Sequence, residues 1–294
     1  MQVHSFLHSD TQTYTHVLAD ATKQVCAVID PVLDFDPKSG HTATIELDQV
    51  IDFVKSQGWA LVYIIETHAH ADHLSGAMHL KQTLGGKLVM GRHITKVQKI
   101  FKQVYNFDTA FRTDASQFDI LTDEGDTLRL GDITITAMHV PGHTPADMAY
   151  VASDSDKTAV FVGDTIFAPD VGTARCDFPG GDAKTLYHSI KRLLSLDEDT
   201  VIYLCHDYPN AGRNHCPTTT VGAQKRDNVH VKEGINEAEF VAMRERRDAT
   251  LEMPRLIIPS VQVNIDAGNL PKPEDNGTRY LKVPINVLGQ SGAK

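Results

Sequence analysis

The sequence predicts an α/β fold: two packed sheets with helices on their outer faces, a four-layer α/β/β/α sandwich with a C-terminal extension. Three observations predict it. Apolar runs of strand character alternate with amphipathic stretches of helical period, and in each half of the chain the strands come before the helices. Turn residues such as Gly131-Asp132 separate the strand runs. A cluster of histidines and an acid sits where one apolar run ends, which is where layered α/β folds place their sites.

The elements follow in order. Residues 3–7, 15–18 and 25–29 are closely spaced strand-like runs and predict an antiparallel meander. Leu47, Val50, Ile51 and Val54 recur at helical spacing, so a helix ending near Gly58 is expected. The unbroken apolar run 61–65 predicts a buried strand. A helix is expected to start near His73 and run through Leu74, Ala77, Met78 and Lys81 to Leu84, where Gly85-Gly86 stops it before a strand at 87–90. A cover helix is expected over 94–105. Residues 127–130 and 133–139 flank Gly131-Asp132 as a hairpin, and 148–152 and 159–162 flank a polar turn. Asp182 is a candidate N-cap, with Ala183, Leu186, Ile190, Leu193 and Leu194 as the buried stripe of the helix behind it. Residues 201–205 form a further strand. The tail from about 221 is more polar and holds a helix over 237–250 and a proline-rich stretch, 254–273. Residues 1–220 are therefore read as the sandwich, and 221–294 as an extension packed on it within the same domain.

The bulk numbers narrow the function. A chain of 294 residues, 41% hydrophobic and 22% charged, has the composition of an ordinary globule. A formal net charge of −10 argues against nucleic acid as partner, because a phosphate-binding surface needs clustered Lys and Arg. No run approaches transmembrane length. The N-terminus lacks the basic start and apolar stretch of a signal peptide, and the first arginine is Arg92. The four cysteines include no C-x-x-C pair, which fits a reducing compartment, so a cytoplasmic location is expected.

The chemistry lies in Thr67-His68-Ala69-His70-Ala71-Asp72-His73, directly after the apolar run. Imidazoles and a carboxylate held this close repel, lose hydration or hold a cation, and a metal is the economical explanation. In extended chain His68, His70 and Asp72 share one side, and the turn that follows brings His73 back toward them. Three later residues also sit at strand ends. His143 lies in Val140-Pro141-Gly142-His143, Asp164 in Phe161-Val162-Gly163-Asp164, and His206 in Tyr203-Leu204-Cys205-His206-Asp207-Tyr208. Glycine before His143 and before Asp164 lets backbone crowd close.

This set, His68-x-His70-x-Asp72-His73 with His143, Asp164 and His206, resembles the metallo-β-lactamase fold superfamily over residues 1 to about 210. That superfamily includes di-zinc hydrolases such as glyoxalase II and mononuclear iron persulfide dioxygenases. Arg175-Cys176-Asp177-Phe178, followed by Lys184-Thr185-Leu186-Tyr187-His188-Ser189, is similar to the persulfide dioxygenase pattern. His206-Asp207-Tyr208 and Asn269-Leu270-Pro271-Lys272-Pro273 resemble the same branch, most closely its bacterial β-lactamase-like sulfur dioxygenases. The sequence departs at Thr173, where the better-known branch has cysteine, and over 209–250, which is longer and differently composed.

The resemblance implies one Fe(II) per chain at His68, His143 and Asp164, a two-histidine, one-carboxylate face. His70, Asp72, His73 and His206 would line a second position left without metal. The implied reaction oxidises the sulfane sulfur of glutathione persulfide with O2 to sulfite. Tyr208, Asp72 and His206 are the candidate catalytic residues. Arg175 and Tyr208 are candidate substrate contacts, Arg175 either gripping a glutathione carboxylate or pairing with Asp177 or Asp170. Homodimers are common in the family. The competing implication is a hydroxyacylglutathione hydrolase of the glyoxalase II type, with two Zn(II) bridged by Asp164.

Overall fold

The computed structural model describes residues 1–210 and 212–289. The first half runs β1 (Gln2–His8), β2 (Thr13–Asp20), β3 (Val25–Ile29), β4 (Val32–Asp36), β5 (His41–Ala43), α1 (Ile45–Gln57), β6 (Ala60–Ile65), β7 (Leu74–Ser75), α2 (Ala77–Leu84), β8 (Lys87–Gly91), α3 (Ile94–Val104) and β9 (Ile120–Thr122). The second half runs β10 (Thr127–Leu130), β11 (Ile133–His139), β12 (Met148–Ser153), β13 (Thr158–Phe161), α4 (Ala183–Leu193), β14 (Val201–Tyr203), β15 (Thr218–Thr220), α5 (Val221–Asp227), α6 (Glu237–Asp248) and α7 (Ile257–Asn264).

Two six-stranded sheets result, in the orders β1-β2-β3-β6-β8-β9 and β10-β11-β12-β13-β14-β15. The N-terminal meander is antiparallel, whereas β3, β6, β8 and β9 pair in parallel. Period-two alternation builds the layers. In β3, Cys26 and Val28 face the helices α1–α3, while Ala27 and Ile29 face the other sheet. In β13, Val160 packs toward α4 and Phe161 toward the first sheet. The predicted four layers are therefore present. Asp182 caps α4, its carboxylate accepting the Thr185 N–H at 2.7 Å, and the predicted stripe from Ala183 to Leu194 is buried.

The short elements β4, β5, β9, β15 and α5 were not expected from the sequence, and three expected segments differ in the structure. The helix expected from near His73 starts only at Ala77, because Leu74 and Ser75 pair with Leu33 and Val32 as a short strand. Residues 204 and 205 leave the predicted strand 201–205, and Leu204 donates its N–H to Pro217 O instead. The proline-rich stretch contains α7, which tolerates Pro259 because proline in the first turn removes no intrahelical hydrogen bond. The extension reaches both outer faces: Phe240 of α6 joins the α4 cluster, and Val261 of α7 joins the cluster under α1–α3. Among the described residues, no helix is long and apolar enough to cross a membrane.

Candidate metal centre

Each sequence-predicted ligand leaves the end of a strand toward one point between the sheets. The loop after β6 supplies His68, His70, Asp72 and His73, and the segments after β11, β13 and β14 supply His143, Asp164 and His206. Asp30, just beyond β3 in the neighbouring strand, anchors the first loop. Thr67 donates N–H to Asp30 Oδ1 at 2.8 Å and its hydroxyl to Oδ2 at 2.9 Å, and His70 Nε2–H donates to Oδ1 at 3.0 Å. Gly163 adopts φ +51°, and a Cβ there would lie 2.6 Å from Thr67 Oγ1. Its glycine identity is thus what lets Asp164 approach the histidine loop.

The ligand atoms of His68, His143 and Asp164 lie within 4.8 Å of one another. Asp164 Oδ2 is 3.9 Å from His68 Nε2 and 3.7 Å from His143 Nε2. The other oxygen, Oδ1, is 3.2 Å from His206 Nε2, which in turn is 3.1 Å from Asp72 Oδ2. The two oxygens of one carboxylate thus face two different groups of ligands. Outer partners set the tautomers: His143 Nδ1–H donates to Arg175 O at 2.7 Å and His68 Nδ1–H to Thr67 Oγ1 at 3.0 Å, leaving each Nε2 lone pair turned inward.

The residues fit a metal. His68 Nε2, His70 Nδ1, Asp72 Oδ2, His73 Nε2, Asp164 Oδ1 and His206 Nε2 are buried with no hydrogen-bond partner. Each such orphan costs about 1–3 kcal/mol unless something satisfies it, and they fall into two ligand groups that meet at Asp164, each with the donor chemistry of a cation site. Burial first, and then the neighbouring imidazoles, hold His68 well below the ordinary histidine range. Burial and His70 likewise lower His73 to about 3. Both rings are therefore neutral and free to ligate at neutral pH. For His70 and His206 burial acts in the same sense, but Asp30 and Glu66, and Asp72 and Asp164, outweigh it and raise them well above the usual value.

A cavity of about 300 Å³ opens onto this centre. Asp72, His143 and Asp164 line it, with Tyr208, Arg175 and Arg244 on the walls. Tyr208 stacks on His206, ring centroids 5.6 Å apart at 10°. Arg175 is on the wall as expected, but its guanidinium is engaged. Nε and Nη2 donate to the two oxygens of Asp177 at 2.5 and 2.6 Å, and Nη1 donates to Glu252 O at 2.6 Å. A substrate carboxylate would have to displace Asp177. Asp170, the second candidate partner of Arg175, pairs with Arg213 instead.

Four contributors escaped the sequence reading. Asp30 carried a readable signal, an acid at the end of a strand within Ile29-Asp30-Pro31. Glu66 lies 3.5 Å from His70 Nε2 and accepts from Ser75 Oγ. Cys205 belongs to a group with His70 and His206, and burial pushes its thiol up. Asn264, from α7, donates to His70 O and His73 O at 2.8 Å each and accepts the Ser75 N–H at 2.8 Å. No local pattern marks that asparagine.

Comparison with known proteins agrees with this geometry. Residues 11–206 match the family model of the metallo-beta-lactamase superfamily. A probable metallo-hydrolase of Burkholderia pseudomallei is 53% identical over 98% of this chain and 100% of its own length. A Dictyostelium discoideum protein named glyoxylase B2 is 43% identical over 98% of both chains. Mitochondrial persulfide dioxygenase ETHE1 of Homo sapiens is 31% identical over 67% of this chain and 64% of its own length. The crystal structure of ETHE1 from Myxococcus xanthus superposes with a TM-score of 0.72 at 27% identity, covering 92% of this chain and 100% of that one. Fold, ligand arrangement and family match converge: the chain belongs to the metallo-β-lactamase superfamily.

Proposed function

We propose that this protein is a mononuclear ferrous persulfide dioxygenase that oxidises the terminal sulfur of glutathione persulfide to sulfite. One observation carries the reading: the two imidazoles and one carboxylate of His68, His143 and Asp164, gathered beside a cavity of about 300 Å³. That donor set suits Fe(II) and leaves positions open. The likeness to the two ETHE1 proteins favours this branch.

In net terms RS–SH, O2 and H2O give RSH, SO3²⁻ and two protons. The S–S bond breaks, the sulfane sulfur is oxidised and dioxygen is reduced. A ferrous ion at His68, His143 and Asp164 would supply adjacent positions for the persulfide sulfur and for dioxygen. The chain's own residues do the rest. His143 and His68 are held in register by Arg175 O and Thr67 Oγ1. Asp72 Oδ2 and His206 Nε2, 3.1 Å apart, share and pass on a released proton. Tyr208, stacked on His206 and edge-on to Phe167, forms the cavity wall beside that pair.

A second reading is favoured by a specific observation. Asp72, His73 and His206 also turn unpartnered atoms inward, as does Asp164 Oδ1, and the 53% identical relative is named a metallo-hydrolase. A filled second position would suit a di-zinc thioester hydrolase. The test runs one preparation against glutathione persulfide and S-lactoylglutathione, with elemental analysis of the metal. One iron per chain with persulfide turnover is expected. Two zinc per chain with thioester hydrolysis would replace the proposal.

A further inference from the structure

Three arginines line the cavity, and they are not equivalent. Arg175 is engaged by Asp177 and Glu252 O. Arg244, only 1% exposed, donates through Nε and Nη2 to Asp248 Oδ1 at 2.9 and 2.6 Å, and through Nη1 to Thr173 O at 3.0 Å. Asp248 is itself fixed by the Cys176 N–H at 2.8 Å. Both guanidinium groups are thus matched by a carboxylate and built into the wall.

Arg247 is different. It lies one turn further along α6, at the cavity rim, exposed, and among the described residues its guanidinium has no ion pair or hydrogen bond. Its neighbours three and four places back on the helix are Met243 and Arg244, and α6 ends one residue after it, so no acid on its own helix face can neutralise it. Its charge is felt locally: burial, then Arg244 and Arg247, lower His230 to about 4.

We propose that Arg247 is the specificity residue of this cavity, holding a carboxylate of the small thiol that carries the reacting group. A guanidinium with free donors is suited to bidentate capture of a carboxylate, and the two arginines deeper in the wall are already matched. The inference rests on the reading of a glutathione-type carrier, but not on which reaction that carrier's sulfur undergoes.

The test is binding of S-methylglutathione to the metal-loaded protein by calorimetry, beside its diethyl ester. The intact protein should bind the acid more tightly than the ester. Arg247→Ala should weaken acid binding about tenfold, leave ester binding unchanged and retain the metal, and Arg247→Lys should recover part of the loss. Equal binding of acid by the intact protein and Arg247→Ala would overturn the proposal. So would an equal loss of acid and ester, or no binding of the acid by the intact protein. Arginine-dependent binding in a preparation that takes up no oxygen would sink the dioxygenase reading and leave this one standing.

Discussion

Asp164 holds the centre together because its two oxygens face different partners, Oδ2 toward His68 and His143 and Oδ1 toward His206. Asp72 faces His206. Asp164→Ala is therefore expected to lose both iron and turnover, whereas Asp72→Ala keeps its iron; elemental analysis of both variants decides it. Equal iron loss would show that the division of ligands is wrong. His16 gives a separate prediction on stability. It is 2% exposed, donates Nε2–H to Leu204 O at 2.9 Å and accepts from Ser5 Oγ at 2.9 Å, and burial lowers it to about 4 from an ordinary 6.5. A depressed folded value means its contribution is complete above pH 6.5, shrinks as pH falls toward about 4, and levels off below. At about 1.4 kcal/mol per unit the loss over that window is about 3 kcal/mol. Urea unfolding across that range should show a steeper acid loss in the intact protein than in His16→Gln, and parallel curves would refute the assignment.

At the scale of elements, α7 is the lock on the metal loop. Asn264 bridges Ser75 N, His70 O and His73 O, all buried. Asn264→Ala strands one donor and two acceptors without water, so a loss of about 2–4 kcal/mol is expected. Chemical denaturation checks it, and a change below about 0.5 kcal/mol would mean the loop holds its shape unaided. This element also marks the limit of what the sequence discloses. Strands with clean alternation, such as β10 and the start of β11, and helices with a full apolar stripe, such as α4, were readable because their own residues carry the period. α7 was not, since Pro259 and flanking prolines mask its pattern and tertiary packing stabilises it. The start of α2 misled for a related reason. His73, Leu74 and Ala77 continue a helical period, yet Leu74 and Ser75 are claimed by β4, an interaction no local window contains.

At the scale of the whole molecule, the sandwich brings together strand ends far apart in sequence. His68, His143, Asp164 and His206 were legible as a set because each follows an apolar run and each is a plausible ligand type. Asp30 and Glu66 also follow apolar runs, but each is one acid outside the histidine pattern, and Asn264, inside α7, has no such context at all. The branch of chemistry is likewise not written in the ligands, since both groups turn unpartnered atoms inward. It depends on which metal binds and on what the cavity admits. The most direct measurement is oxygen uptake by protein reconstituted anaerobically with iron and then supplied with glutathione persulfide. The account predicts oxygen consumption matched by sulfite release, with one iron bound per chain. Iron-loaded protein that leaves dissolved oxygen untouched in the presence of the persulfide would contradict it.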